Sequence, residues 1–338
     1  MIRVAALTSS LNDPSSRFRM RQFFRPLGEL GIQTVEYRPW VSKYAPSTMQ
    51  LTGLTLASRV LAVLASRRYD ITWLNRELMT GRETFERFAG RPLLFDVDDA
   101  IWLTGGSPDF ARRIAARSAG VIAGNRVIAD YFRPHAPRVW IVPASVDTAL
   151  WKPAPHAPCE HWTVGWSGTH WNLKYLYRIE KPLSRFLSDH RDARLRVVCD
   201  RRPEFQHLRD GQWSFVRWSP ENEVSSMQVM NVGIMPLEDN PWTRAKCAMK
   251  MLCYLSVGLP AIVTPVGVAD EILMAGANPI GLAAWDDDAW YQHLHSLYNN
   301  RAQASAMGIA GREAVIEHYS VERSAKQLAQ IFADVVSS

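Results

Sequence analysis

The 338 residues are 47% hydrophobic and 21% charged, which suits about two globular domains and excludes a disordered or collagen-like chain. A net charge of +6 and a pI near 9.2 favour anionic partners such as nucleotides or phospholipid surfaces. The basic residues are scattered, which argues against a nucleic-acid-binding stripe.

Short β-branched runs alternate with longer amphipathic stretches, the pattern of a parallel α/β sheet. The first half carries strand candidates at residues 2–7, 32–37, 71–74, 92–97, 120–123 and 139–142, with helical segments at 17–30 and 48–66 between them. Pro153, Pro155 and Pro158 then interrupt the pattern, so 151–161 reads as a linker. A second series follows at 163–166, 195–199, 214–217, 232–235, 261–264 and 280–282. From Asp286 onward the chain reads as three helices, the last over 321–336 with Ser320 as its N-cap. The expected fold is therefore α/β, with two Rossmann-like domains. Ligands bind open α/β sheets at the carboxyl ends of the strands, so the loops after strands are the ones to read.

After the first strand, Ser15 and Ser16 can cap a helix whose opening turns hold Arg17, Arg19 and Arg21. Positive charge there opposes the helix dipole, so Arg17 and Arg19 are expected to bind an anion or an acceptor. The alternative is that they point to solvent. The fourth strand ends in Asp96-Val97-Asp98-Asp99. Three carboxylates so close are costly to bury together. They suit a polar cleft in which Asp98 and Asp99 bind an acceptor hydroxyl. A divalent cation or an acidic helix cap would use the same residues. Metal-independent chemistry is the expectation.

In the second half, Gly168 and Thr169 lie on a strand-to-helix turn where backbone can approach a phosphate. Glycines packing strand against helix give the same sequence. His170 and His135 read as structural. Trp218 follows the third strand of this half and is a candidate to stack on a nucleobase, with core packing as the alternative. Arg244, Lys246 and Lys250 surround a helix expected to open near Lys246 and to stop at Gly258, a seat for pyrophosphate. No GxGxxG, GxSxG, P-loop or HExxH occurs, which argues against a dinucleotide enzyme, a serine hydrolase and a zinc protease.

The run from Lys246 to Glu271 resembles the donor-binding segment of retaining glycosyltransferases of family four, with the GT-B fold. Residues 164–169, 124–147 and 307–320 do so as well. Arg76-Glu77, Ser15-Ser16-Arg17-Phe18-Arg19 and the Asp96 to Trp102 stretch look like a bacterial subgroup of that family. The resemblance implies an acceptor-binding domain over 1–150 and a donor-binding domain over 162–320, facing each other across a cleft. It also implies a last helix, 321–338, crossing back to the first domain. The implied reaction moves a sugar from a nucleoside diphosphate sugar, UDP or GDP type, to a saccharide, lipid-linked or other hydroxyl acceptor with retention. The setting would be surface polysaccharide or glycoconjugate assembly. Arg244 and Lys246 would stabilise the leaving diphosphate, with the amides of Lys246, Cys247 and Ala248 on the phosphates. The family's two glutamates fall on Ala245 and Cys253, so sugar and ribose contacts are altered; Cys253 keeps its place in the expected donor site, and Glu271, Glu238 or Asp239 can substitute. A sugar-nucleotide epimerase of the same fold is the rival reading, and a nucleic-acid-binding protein a weaker one.

Cys159, Cys199, Cys247 and Cys253 form no CxxC pair, so a reducing compartment fits. The apolar stretch 51–65 is too short to span a bilayer and contains Arg59. Met1 leads straight into a strand, so a cytoplasmic location without a signal peptide is expected. Peripheral membrane contact is expected through Arg17, Arg19, Arg21 and Arg25 interleaved with Phe18, Phe23 and Phe24, together with Arg59, Arg67 and Arg68.

Overall fold

The structure is a computed structural model that describes residues 1–40, 49–104, 107–154 and 161–338. Side chains are described from Gly53 onward in the helix that starts at Met49, apart from residues 54 and 55. Most of the expected linker, 155–160, lies outside the described residues.

The chain divides into two compact units, one made of Met1–Ser145, Ala245–Cys247 and Val321–Ser338, the other of Val146–Arg244 and Ala248–Ser320. In the first, β1 (Ile2–Leu7) leads through α1 (Pro14–Arg19) and α2 (Phe24–Glu29) to β2 (Ile32–Tyr37). Then α3 (Met49–Ser66), β3 (Ile71–Asn75), β4 (Leu93–Val97), α4 (Asp109–Arg117), β5 (Gly120–Ala123), α5 (Arg126–Phe132) and β6 (Val139–Ile141) follow. The six strands are parallel in the order β2-β1-β3-β4-β5-β6. Residues 4–7 of β1 and all of β3 and β4 are buried, as expected where helices cover both faces of a parallel sheet.

The second unit runs β7 (Trp162–Ser167), α6 (Leu173–Arg178), α7 (Glu180–Asp189), β8 (Ala193–Cys199), β9 (Trp213–Arg217), α8 (Glu223–Gln228) and β10 (Val232–Met235). It continues with α9 (Pro241–Arg244), α10 (Met249–Ser256), β11 (Ala261–Val263), α11 (Val268–Leu273), β12 (Gly281–Ala283), α12 (Asp287–Asn299) and α13 (Arg301–His318). Its parallel order is β12-β11-β10-β7-β8-β9. The closing helix α14 (Val321–Val336) belongs to the first unit. There Val321, Leu328, Ile331, Phe332 and Val335 share a core with Met20, Phe23, Leu27 and Trp73.

In each sheet the order reverses at one place, between β1 and β3 and between β7 and β10. Loops on either side of such a reversal leave in opposite directions and open a crevice at the carboxyl edge. Both candidate sites lie on these edges.

Two expectations are corrected. The single helix over 17–30 is two short helices, with a break at Met20 (φ −131°, ψ −65°) and a 3-10 turn from Arg21 to Phe23. Pro26 in the following turn has no N–H to continue a longer helix. The helix expected at Lys246 begins at Met249, because Ala248 takes a left-handed conformation (φ 49°) that ends any helix running through it.

Candidate functional site

The edge of the first unit is a connected polar network. Ser9 N–H donates to Ser16 Oγ at 2.8 Å, and Ser16 Oγ donates to Asn75 Oδ1 at 2.8 Å. Asn75 Nδ2 donates to Ser15 Oγ at 2.9 Å, and Ser15 Oγ donates to Asp98 Oδ1 at 2.8 Å. Arg76 closes the chain, with Nε on Asp98 Oδ1 at 2.5 Å and a terminal N–H on Asp99 Oδ2 at 2.6 Å. The loops after β1, β3 and β4 are thereby tied together at the sheet's reversal. Arg76 has φ 56°, a backbone state uncommon outside glycine, and its N–H reaches Asp96 O at 2.8 Å. Burial raises the Asp98 carboxyl, but Arg76, with help from Arg19 and Ser15, holds it below the usual carboxylate range. Asp98 and Asp99 are thus brought together, mostly buried and both paired with one guanidinium.

Asp96 and Arg19 take a different part. Arg19 Nε and a terminal N–H hold the two Asp96 oxygens at 2.9 and 3.2 Å, while its other terminal nitrogen donates to Val142 O at 2.6 Å. Both side chains are buried, so the assignment of Arg19 to acceptor binding is corrected: a guanidinium fully engaged inside the unit cannot meet an acceptor. Arg17 is half-buried, with its guanidinium 5.2 Å over the Phe18 ring. The basic-aromatic face expected around them is corrected too. Phe18 and Phe23 are buried, and Arg21 is held by Glu36 at 2.7 Å. Arg59 is buried and donates to Thr8 O.

Asn125, the N-cap of α5, donates to Ala245 O at 2.7 Å. The Cys247 thiol reaches Asp98 O at 3.3 Å, and burial, with Asp98 nearby, pushes it up. A Cβ on Gly124 would lie 2.5 Å from that sulfur, so any larger residue there would displace the Cys247 side chain. Lys246 is half-buried between these residues in sequence.

In the second unit, Gly168 and Thr169 follow β7, and a Cβ on Gly168 would press on the Trp166 ring at 2.7 Å. His170 comes next. Its N–H and its Nδ1 lie 2.7 and 2.5 Å from the two oxygens of Asp200, the first residue after β8. Partial burial raises Asp200, but the His170 ring and amide and the Cys199 thiol hold it below the usual range. Ser167 N–H donates to the hydroxyl of buried Tyr254 at 2.8 Å. Gly233 makes room for that ring, since a Cβ would sit 2.2 Å from it.

Arg244 is exposed and grips Asp239 with two bonds of 2.6 and 2.9 Å. A Cβ on Gly267 (φ 60°) would fall 2.3 Å from Arg244 O, so the loop after β11 lies against the end of α9. Lys250 Nζ pairs at 3.0 Å with buried Glu223. Glu271 is exposed in the first turn of α11 and Trp218 is half-buried. Cys253 is fully buried, so its assignment to donor binding is corrected: its side chain cannot reach a ribose. Asn75, Asn125 and the His170–Asp200 pair escaped the sequence reading, and Arg76 entered it only through the resemblance. Asn75 and Asp200 are polar residues at the carboxyl ends of strands, which is the signal that could have found them.

Residues 163–300 match the family described as Glycosyl transferases group 1. No curated protein matches the chain. Among solved structures, sucrose-phosphate synthase from Thermosynechococcus elongatus is similar at TM-score 0.74, with 15% identity over 100% of both chains. WaaG, a glycosyltransferase involved in lipopolysaccharide biosynthesis, is similar at 0.69, with 12% identity over 97% of this chain and 99% of that one. Anabaena HepE, solved with UDP and glucose, is similar at 0.68, with 13% identity over 99% of this chain and 100% of that one. The matched segment lies in the second unit, and with a Rossmann-like sheet in each unit the chain has the GT-B fold.

Proposed function

We propose that the protein transfers a glycosyl group from a nucleoside diphosphate sugar, UDP or GDP type, to a hydroxyl acceptor with retention, in surface polysaccharide or glycoconjugate assembly. The observation that carries the reading is the group 1 match on the unit whose reversal between β7 and β10 gathers Gly168, Thr169 and His170 at one edge. HepE binding UDP and glucose supports the donor class. Arg244, Lys246 and the amides of 246–248 stabilise the diphosphate as its bond to the anomeric carbon breaks. A phosphate oxygen takes the acceptor proton on the same face while the new C–O bond forms. Asp98 and Asp99 orient the acceptor, and Trp218, Lys250 and Glu271 complete the donor site. A thermal-shift panel of UDP, GDP, ADP and CMP sugars, followed by NMR of the product's anomeric configuration, tests this. Turnover is expected to persist in EDTA, because Asp96, Asp98 and Asp99 already face arginines. Inversion would sink retention, turnover without an acceptor would favour an epimerase, and loss in EDTA restored by Mg²⁺ would make these aspartates metal ligands.

Of the residues the sequence suggested for membrane contact, only Arg68 belongs to the face proposed for it here. Among the described residues no helix is long and apolar enough to cross a membrane. Trp40, Leu61 and Leu64 are 67%, 54% and 48% exposed, and with Arg38 and Arg68 they line an open depression of about 400 Å³. Apolar groups flanked by arginines suit an anionic leaflet that supplies a lipid-linked acceptor. Co-sedimentation with liposomes should rise with anionic lipid, fall with salt and be lost in Leu61→Glu. No co-sedimentation at low salt would leave a soluble acceptor.

A further inference from the structure

The turn from β5 into α5 consists of Gly124 and Asn125. Asn125 is 4% exposed, and the two ends of its side chain face different partners. Its Oδ1 accepts the Ile128 N–H at 3.0 Å and caps α5. That leaves Nδ2, the donor end, to meet Ala245 O at 2.7 Å, Lys246 O at 3.4 Å and the Cys247 sulfur at 3.5 Å. Ala245–Cys247 belong to the first unit, although the chain on either side of them belongs to the second. The Cys247 thiol adds a bond to Asp98 O at 3.3 Å and rests against Gly124, which has no side chain to push it away. A helix cap needs only the Oδ1 end, and serine or aspartate supplies that equally well. The amide end of Asn125 is used on the carbonyls of this short run instead.

In a trans peptide the C=O and the N–H point to opposite sides, and the peptides joining Ala245, Lys246 and Cys247 are trans. Holding Ala245 O therefore turns the Lys246 N–H away from Asn125, and holding Lys246 O does the same for the Cys247 N–H. Among the described residues no backbone carbonyl accepts from the Cys247 N–H. We propose that Asn125 is a positioning residue for the donor diphosphate, aiming the amides of Lys246 and Cys247 by gripping the carbonyls behind them. The proposal rests on the nucleotide-sugar reading above, in which these amides meet the phosphates. Asn125 itself touches no substrate. Donors already aimed need no reorientation when the diphosphate arrives or as it gains charge on leaving.

Asn125→Asp and Asn125→Ser both keep a cap on α5 and remove the amide that grips the carbonyls. The first sets a repelling oxygen against them, and the second releases them without adding charge. UDP-glucose and GDP-mannose are the probes. Calorimetric titration of the full chain should show the dissociation constant for whichever probe binds rising about tenfold to a hundredfold in both variants, the span of a hydrogen bond to a charged group. The stoichiometry should stay as in the parent, and Asn125→Thr should behave as Asn125→Ser does. A merely structural role moves the other readout: misfolded chains lower the stoichiometry and leave the dissociation constant of the rest unchanged. A parent-like dissociation constant in Asn125→Ser and Asn125→Thr, at any stoichiometry, overturns the proposal and leaves the donor class intact. Weakening in Asn125→Asp alone is charge repulsion and overturns it as well. Failure of every nucleotide sugar in the panel to bind the parent overturns both readings.

Discussion

Arg19→Met should lower the unfolding free energy of the first unit by about 3–5 kcal/mol, the cost of stranding one partner of a buried ion pair. Asp96 is fully buried and Arg19 is 2% exposed. The carboxylate also accepts the Trp73 indole N–H at 3.2 Å. Burial pushes the Asp96 carboxyl above its ordinary range against the pull of Arg19 and Trp73. Without the guanidinium, Asp96 must take a proton or draw in water, and the carbonyl of Val142 loses its donor. Arg19→Met combined with Asp96→Asn should recover part of the loss, because the stranded charge is then gone, and the double-mutant cycle reads the coupling directly. Urea unfolding at neutral pH is the measurement. A loss below about 1 kcal/mol, well under the range for a broken buried pair, would mean that the pair is dispensable and that Arg19 stands there for another reason.

Phe332→Ala should cost the same unit about 3–5 kcal/mol, the range for emptying a buried phenylalanine site. Phe332 is fully buried and meets the Trp73 ring edge-on, centroids 5.3 Å apart. Its helix, α14, presents Val321, Ala325, Leu328, Phe332 and Val335 to the core at spacings of four, three, four and three, one apolar stripe. The cavity would open between that stripe and the centre of the sheet, where β3 has no freedom to collapse. Hydrogen exchange reads the loss by unit: amides of β1 and β3 should exchange far faster, and those of β7 and β8 should not. Equal acceleration in both sheets would show that the two units do not unfold separately.

The fold was legible because parallel strands buried on both faces are written as short, mostly apolar runs. Val4 to Leu7, Leu93 to Val97 and Val232 to Met235 announce themselves without any tertiary information. The candidate sites were legible only as positions. Asp98 and Asp99 stand out as costly neighbours at a strand end, but the sequence does not show that Arg76 pairs with both. Arg19 looked like an anion-binding arginine because charge at a helix start opposes the dipole, yet its partner is Asp96, 77 residues on. Ala248 hid a helix boundary, since alanine is the best helix former and nothing local marks it for a left-handed conformation. His170 looked like any surface histidine until β7 and β8 aligned side by side and brought Asp200 beneath it.

The membership of α14 in the first unit has a consequence during synthesis. Residues 1–145 leave the ribosome before the second unit, but the helix that covers Met20, Leu27 and Trp73 leaves after the whole of it. The second sheet can close on its own while the first still shows an uncovered apolar face. The unit translated first is therefore the one completed last, and in the interval its exposed face is where a nascent chain of this protein would meet chaperones or misassociate.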